Sequence, residues 1–249
     1  MSLKDEFLKS LIGQQKDGKI RFALDDHGDI THLIKRVDPR CREVYEKLAA
    51  LRSPYLPAVL LMKEVDGALE VHEEYIRGQT LEAYAQEQGP LDDETLRQVA
   101  FDVAQALRLL HSTQPPIIHR DVKPQNILRR ENGRFVLIDF DAARLYDADA
   151  DTDTRCIVTM GYAAPEQYGL AQTDVRSDLF SLGVTLYEMK TGEHYVMGAK
   201  CEGALHAVIA RCTAFDPKKR YASAEELLRA LDAQTPAGKK RRLRRGVGA

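Results

Sequence analysis

Apolar positions along the first 77 residues fall in short runs split by polar turns. Leu11-Ile12, Ile20-Arg21-Phe22-Ala23 and Ile30-Thr31-His32-Leu33-Ile34 are strand-sized, and Lys16-Asp17-Gly18 and Asp26-His27-Gly28-Asp29 punctuate them. Runs joined by tight polar turns predict antiparallel hairpins. One helix is predicted over residues 42–52, where Val44, Leu48 and Leu51 recur at helical spacing. Ser53-Pro54 closes it, because a residue before proline is pushed out of the helical region. Two more strands are predicted over residues 58–63 and 69–74.

After Gly78 the period lengthens. Helices are predicted over residues 80–88, 92–111, 177–191, 204–214 and 222–233. The second carries Leu96, Val99, Val103, Leu107 and Leu110 on one stripe, and Asp92, Asp93 and Glu94 place acids at its positive end. Ser223 followed three residues on by Glu226 reads as a capping box. No repeat interrupts this order. The pattern is α+β, with a strand-rich part at 1–77, a helical part at 78–235 and a tail at 236–249.

Composition changes this picture little, and charge changes it more. Hydrophobic residues are 44% and charged residues 30% of 249, which excludes disorder over most of the length. No apolar run nears the roughly 18–20 residues of a membrane helix, and MSLKDEFLKS lacks the apolar core of an export signal. Cys41, Cys156, Cys201 and Cys212 form no CxxC pair and read as free thiols of a reducing cytoplasm. The net charge of −2 hides a split: KKRRLRR at 239–245 carries six positive charges, which leaves −8 for the rest.

The densest chemistry lies in His119-Arg120-Asp121-Val122-Lys123-Pro124-Gln125-Asn126, a loop between the apolar pairs Ile117-Ile118 and Ile127-Leu128. Asp121 can take a proton from a hydroxyl. Lys123 can neutralise a phosphate, and Asn126 offers an oxygen to a hard cation. Thirteen residues beyond Asn126, Asp139 ends an apolar strand as a second oxygen ligand.

These residues resemble the catalytic loop HRDxKPxN of eukaryotic-type (Hanks-type) Ser/Thr protein kinases, in the compact form common in bacteria. Ala164-Pro165-Glu166 matches the APE motif, Asp178 and Gly183 match a buried helix, and Asp216-Pro217-Lys218-Lys219-Arg220 matches DPxxR, whose Arg pairs the APE Glu. The likeness covers about residues 9–233, and the presence of both APE and DPxxR argues against small-molecule phosphotransferases that share the fold but lack those motifs. It implies a bilobal fold, with a small antiparallel N-lobe bearing one helix and a larger, mainly helical C-lobe.

The resemblance also implies roles. Asp121 is the catalytic base, Asn126 and Asp139 hold Mg²⁺ (or Mn²⁺), and Lys123 steadies the γ-phosphate of ATP. The loop lysine points to Ser/Thr hydroxyls of protein substrates. His119 and Arg120 brace the loop. Lys35 is the lysine that touches the α- and β-phosphates, paired with Glu43 or Glu46 of the first helix, with Glu43 preferred. Gly13, Gly18 and Ile20 form the glycine loop and its closing strand, 22, 17 and 15 residues before Lys35. Leu33 lies over the adenine. Glu74 and Ile76 bind it through backbone groups. Thr152 or Thr154 is the expected autophosphorylation site, and Thr159 contacts Asp121.

Four positions depart from the family pattern: Gln15 for the middle glycine, Leu33 for a small residue, Glu73 for a neutral gatekeeper and Asp141 for the glycine of DFG. They support a rival reading, a pseudokinase or nucleotide-binding scaffold. A buried Glu73 needs a partner, and Lys35 is one candidate. The span of 37 residues from Gly183 to Arg220 is short for the family. The tail would serve as an electrostatic tether to an anionic membrane, as the stub of a membrane-anchored kinase, or as a solvated end of a cytoplasmic protein. No nucleic-acid partner is expected.

Overall fold

The computed structural model describes residues 20–147, 160–168 and 173–233. Strands β1 (Ile20–Leu24), β2 (Ile30–Val37), β3 (Val59–Val65) and β4 (Ala68–Glu74) form one antiparallel sheet in the order β1-β2-β4-β3. The turn between β1 and β2 is tied by Asp25, whose Oδ1 accepts from the N–H groups of His27 and Asp29, each at 2.9 Å. Gly28 takes the left-handed conformation there, at φ 77°.

β4 lies between two neighbours and is buried from Leu69 to Glu73. Leu69, Val71 and Glu73 share a face with Val37, Lys35 and Leu33 of β2, their register partners. Glu70 and His72 occupy the opposite face. Glu70 is satisfied there by Arg21 and by Lys63 at 3.2 Å. His72 Nδ1 meets His32 Nε2 at 2.9 Å. Helix α1 (Arg42–Ala50) packs on β3 and buries Val44, Tyr45 and Leu48. It ends at Ala50, two residues earlier than predicted, where the Leu51 N–H turns back to Leu48.

The helical part is built on capped ends. Thr80 caps α2 (Leu81–Gln88) by accepting from Ala83 N–H at 3.1 Å, and Asp92 caps α3 (Asp93–His111) through Thr95 N–H at 2.8 Å. The apolar stripe of α3 is fully buried, as predicted. It packs on α4 (Val175–Thr191) and on α6 (Ala224–Ala233), while α4 also packs on α5 (His206–Cys212). The predicted capping box of α6 forms, with one shift. Ser223 Oγ accepts from Glu226 N–H at 3.2 Å, and Glu226 Oε2 reaches Ala222 N–H at 2.7 Å. α4 is buried around most of its circumference, Ser177 and Asp178 included.

Five short strands were not predicted as a sheet system. β5 (Gly78–Thr80), β7 (Ile127–Arg130) and β8 (Phe135–Leu137) form a three-stranded sheet, and β6 (Ile117–Ile118) pairs with β9 (Arg144–Leu145). Strands of two to four residues are too short to carry a period. Together they fix both ends of the His119–Asn126 loop. The architecture is that of a bilobal α+β fold. No described helix is long and apolar enough to cross a membrane. Leu11-Ile12, Gly13, Gln15, Gly18, Thr152, Thr154, Cys156, Thr159 and the run 239–245 lie outside the described residues. Cys41, Cys201 and Cys212 are free thiols.

Candidate active site

One buried carboxylate organises the His119–Asn126 loop. Asp178, on the first turns of α4, accepts from Arg120 N–H at 2.7 Å, from His119 N–H at 2.9 Å and from His111 Nε2 at 2.8 Å. Burial alone would push its pKa up, but the bonds from His111 and the nearby His119 outweigh this and hold it below the usual aspartate value. These bonds keep Arg120 in the left-handed region, at φ 66°, which a non-glycine residue rarely adopts. Gln167 adds a bond to the Arg120 carbonyl at 3.0 Å.

His119 is fully buried, and burial pushes its pKa down despite neighbouring carboxylates, which favours the neutral ring. Its Nε2 lies 3.2 Å from the Ile138 carbonyl, its Nδ1 lies 3.3 Å from Asp121 N–H, and its ring stacks edge-on against Phe140. His119 and Arg120 therefore hold the loop in shape.

The loop gathers two polar groups, Lys123 and Asn126, around the carboxylate of Asp121. Lys123 Nζ lies 2.8 Å from Asp121 Oδ2. Asn126 Nδ2 donates to the same oxygen at 2.7 Å and to the Asp121 carbonyl at 2.9 Å. Both amide donors of Asn126 thus point at Asp121, and its carbonyl oxygen is the end left for a cation. Asp139 follows β8 at φ 67°, a second strained non-glycine residue. Its Oδ1 accepts from Asp141 N–H at 3.4 Å. Carboxylate and carboxamide oxygens are the donor set a hard divalent cation requires.

Across the cleft, Lys35 comes from β2. Its ammonium lies 3.2 Å from Glu73 Oε2 and 3.8 Å from Asp139 Oδ1. Burial would lower its pKa, but Glu73, Asp139 and Asp141 together raise it, so the charge is kept. Neither Glu43 nor Glu46 reaches this lysine among the described residues, which corrects the expected Lys35–Glu43 pair. The reason lies in α1, which turns Val44, Tyr45 and Leu48 inward and leaves both glutamates exposed. Glu46 instead pairs with Arg42 at 4.0 Å. Tyr45 occupies the inward position, with its hydroxyl 3.5 Å from Asp141 Oδ1.

A cleft of about 240 Å³ joins the two sides. Ile20 and Leu33 line it from the first sheet, Glu74, Tyr75 and Ile76 from the connecting strand end, and Asn126 and Asp139 from the loop side. Leu128 and Ile138 add an apolar wall that the sequence reading did not assign. Their signal was present: each apolar residue stands within two positions of an expected cation ligand. Glu74 is anchored by Arg130 at 2.9 Å and by Ala58 N–H at 3.2 Å, so the connection starts from a fixed point. Apolar walls with a few convergent polar groups are the lining of a small-molecule site.

The expected Arg220–Glu166 pair forms deep in the helical part. Arg220 donates to Glu166 at 2.6 and 3.0 Å, Ser177 Oγ adds a bond at 2.7 Å, and the guanidinium lies over Phe180. This fixes the Ala164-Pro165-Glu166 turn to the start of α4.

Residues 36–231 match the protein kinase domain family, a match that begins one residue after Lys35. A probable serine/threonine-protein kinase of Clostridium perfringens is 39% identical over 146 residues, covering 58% of this chain and 21% of that protein. Serine/threonine-protein kinase F of Synechocystis is 34% identical over 177 residues, with 64% and 35% covered. Serine/threonine-protein kinase PknB of Mycobacterium leprae is 33% identical over 233 residues, with 81% and 37% covered. The chain therefore spans between about a fifth and two fifths of the length of these curated relatives.

Proposed function

Since this chain belongs to the protein kinase domain family, we propose that it transfers the γ-phosphate of ATP to Ser or Thr hydroxyls of protein substrates. The observation that carries this reading is the contact of Asp121, Lys123 and Asn126 at one carboxylate oxygen, opposite Lys35 and Asp139. Asp121 accepts and orients the substrate hydroxyl as it attacks. Lys123, bound to the same carboxylate, meets the phosphate that is moving. Lys35 holds the α- and β-phosphates, and the Leu128–Ile138 wall with the 74–76 backbone receives the base. Asn126 and Asp139 would hold Mg²⁺, which when bound neutralises charge on the phosphates. Lys35 keeps its proton throughout, because the surrounding carboxylates stabilise the ammonium.

Asp121→Asn tests the assignment. The variant is expected to keep the Mg-ATP thermal shift and to lose transfer by at least about a hundredfold, as removal of a general base does. Transfer at the parental rate would overturn the role of Asp121. Mg-ATP binding by the parent chain without transfer would favour the scaffold reading. The basic run 239–245 extends the proposal to an anionic lipid surface, tested by vesicle co-sedimentation with and without residues 239–249.

A further inference from the structure

Building on the phosphotransfer reading above, we propose that Glu73 is the positioning residue for Lys35, so that this lysine is held from within the sheet and not from helix α1. Four observations carry the assignment. The pair is close, 3.2 Å between Lys35 Nζ and Glu73 Oε2, and both residues are buried, at 7% and 2% exposure. The register puts them on one face. Leu33 opposes Glu73 and Lys35 opposes Val71, so the two side chains are diagonal neighbours on adjoining strands, within reach of long side chains. The helix offers nothing equivalent, because Glu43 and Glu46 face solvent while Tyr45 fills the inward position. Finally, the second Glu73 oxygen, Oε1, is buried with no hydrogen-bond partner, so Lys35 is the one side-chain partner of this carboxylate among the described residues.

The consequence is mechanical. A lysine paired to a helix depends on where that helix sits. Here β2 and β4 are joined over six consecutive register pairs, from His32–Glu74 to Val37–Leu69. Donor and acceptor of the ion pair therefore move as one body. Displacement of α1 would shift Tyr45 from Asp141 and leave the Lys35–Glu73 contact whole. A buried carboxylate of this kind is costly unless paired, which gives Glu73 a reason to stay on the lysine in every state of the cleft.

The test compares kcat and KM for ATP in the full chain, in Glu73→Gln and in the double variant Glu43→Gln/Glu46→Gln, each checked by circular dichroism and melting temperature. Glu73→Gln is expected to raise the KM for ATP by about tenfold or more while remaining folded, since a charge-assisted bond to the lysine is lost. The double helix variant is expected to stay within about twofold of the parent, as exposed substitutions do. Parental kinetics in folded Glu73→Gln would overturn the proposal, and so would a loss of about tenfold or more in the helix variant. If Glu73→Gln does not fold, the helix variant decides alone, because both of its positions are exposed. If the parent chain transfers no phosphate, the functional reading fails separately. The same variants are then compared by Mg-ATP dissociation constant, with the same expected and overturning ratios.

Discussion

The two sides of the cleft hold their charged groups by different means. On the helical side, Asp121 is fixed through its backbone: Asp178 of α4 grips the N–H groups of His119 and Arg120 and forces the latter into a strained conformation. On the sheet side, Lys35 is fixed through its side chain, by a carboxylate on the next strand. The first arrangement depends on long-range packing, since Asp178 is 57 residues away from Asp121 in sequence. The second rests chiefly on the register of neighbouring strands, with Asp139 a further 3.8 Å contact. A site can thus keep one wall close to its family pattern while the other wall is rewired locally.

The largest expected effect breaks the helical side. Asp178→Ala leaves two buried backbone N–H groups without an acceptor, which costs about 3–5 kcal/mol together with the lost ion–histidine contact. Urea unfolding should show that loss, and transfer should fall with it. Unchanged stability would mean that the loop is held by something other than Asp178. A smaller effect separates loop from scaffold. Gly183→Ala places a Cβ 2.5 Å from Cys212 Cβ and 2.9 Å from Thr213 Cγ2. Overpacking of the α4–α5 contact should cost about 1–3 kcal/mol, with the ATP KM little changed, because this contact lies away from the cleft. Equal damage to KM would show that the two sides are coupled.

The subtlest effect is in pH. The folded pKa of Asp178 lies below its ordinary value, so the unfolded chain binds a proton more readily. The stability it adds is complete above about pH 3.9, the ordinary aspartate value. It drains as pH falls through the lower folded value. The stability gap between the parent chain and Asp178→Asn should therefore narrow on acidification, measured as unfolding midpoints in urea. A gap that widens would contradict the direction of the shift.

These contrasts also explain what the sequence disclosed. The helices of the second part were legible because their apolar stripes and caps, such as Asp92 and Ser223, act locally. The loop residues were legible because His119 to Asn126 are contiguous and their chemistry is distinctive. Of the small strands only the apolar run before Asp139 was legible; the pairing of β5 to β9 was not, because pairing across distant segments leaves no period in two to four residues. The lysine partner is the instructive case. Val44, Tyr45 and Leu48 mark one face of α1, so the outward direction of Glu43 and Glu46 could be read from the chain. The expectation from the family pattern outweighed that local signal. Glu73, a charged residue in a strand otherwise apolar on that face, already suggested Lys35 as its partner, and the structure forms that pair.

The most direct measurement is transfer of labelled γ-phosphate from Mg-ATP to a protein substrate by the purified chain, followed by analysis of the phosphorylated residues. Label is expected on serine or threonine and is abolished by Asp121→Asn. Tight Mg-ATP binding with no label on any hydroxyl would contradict the proposed transfer.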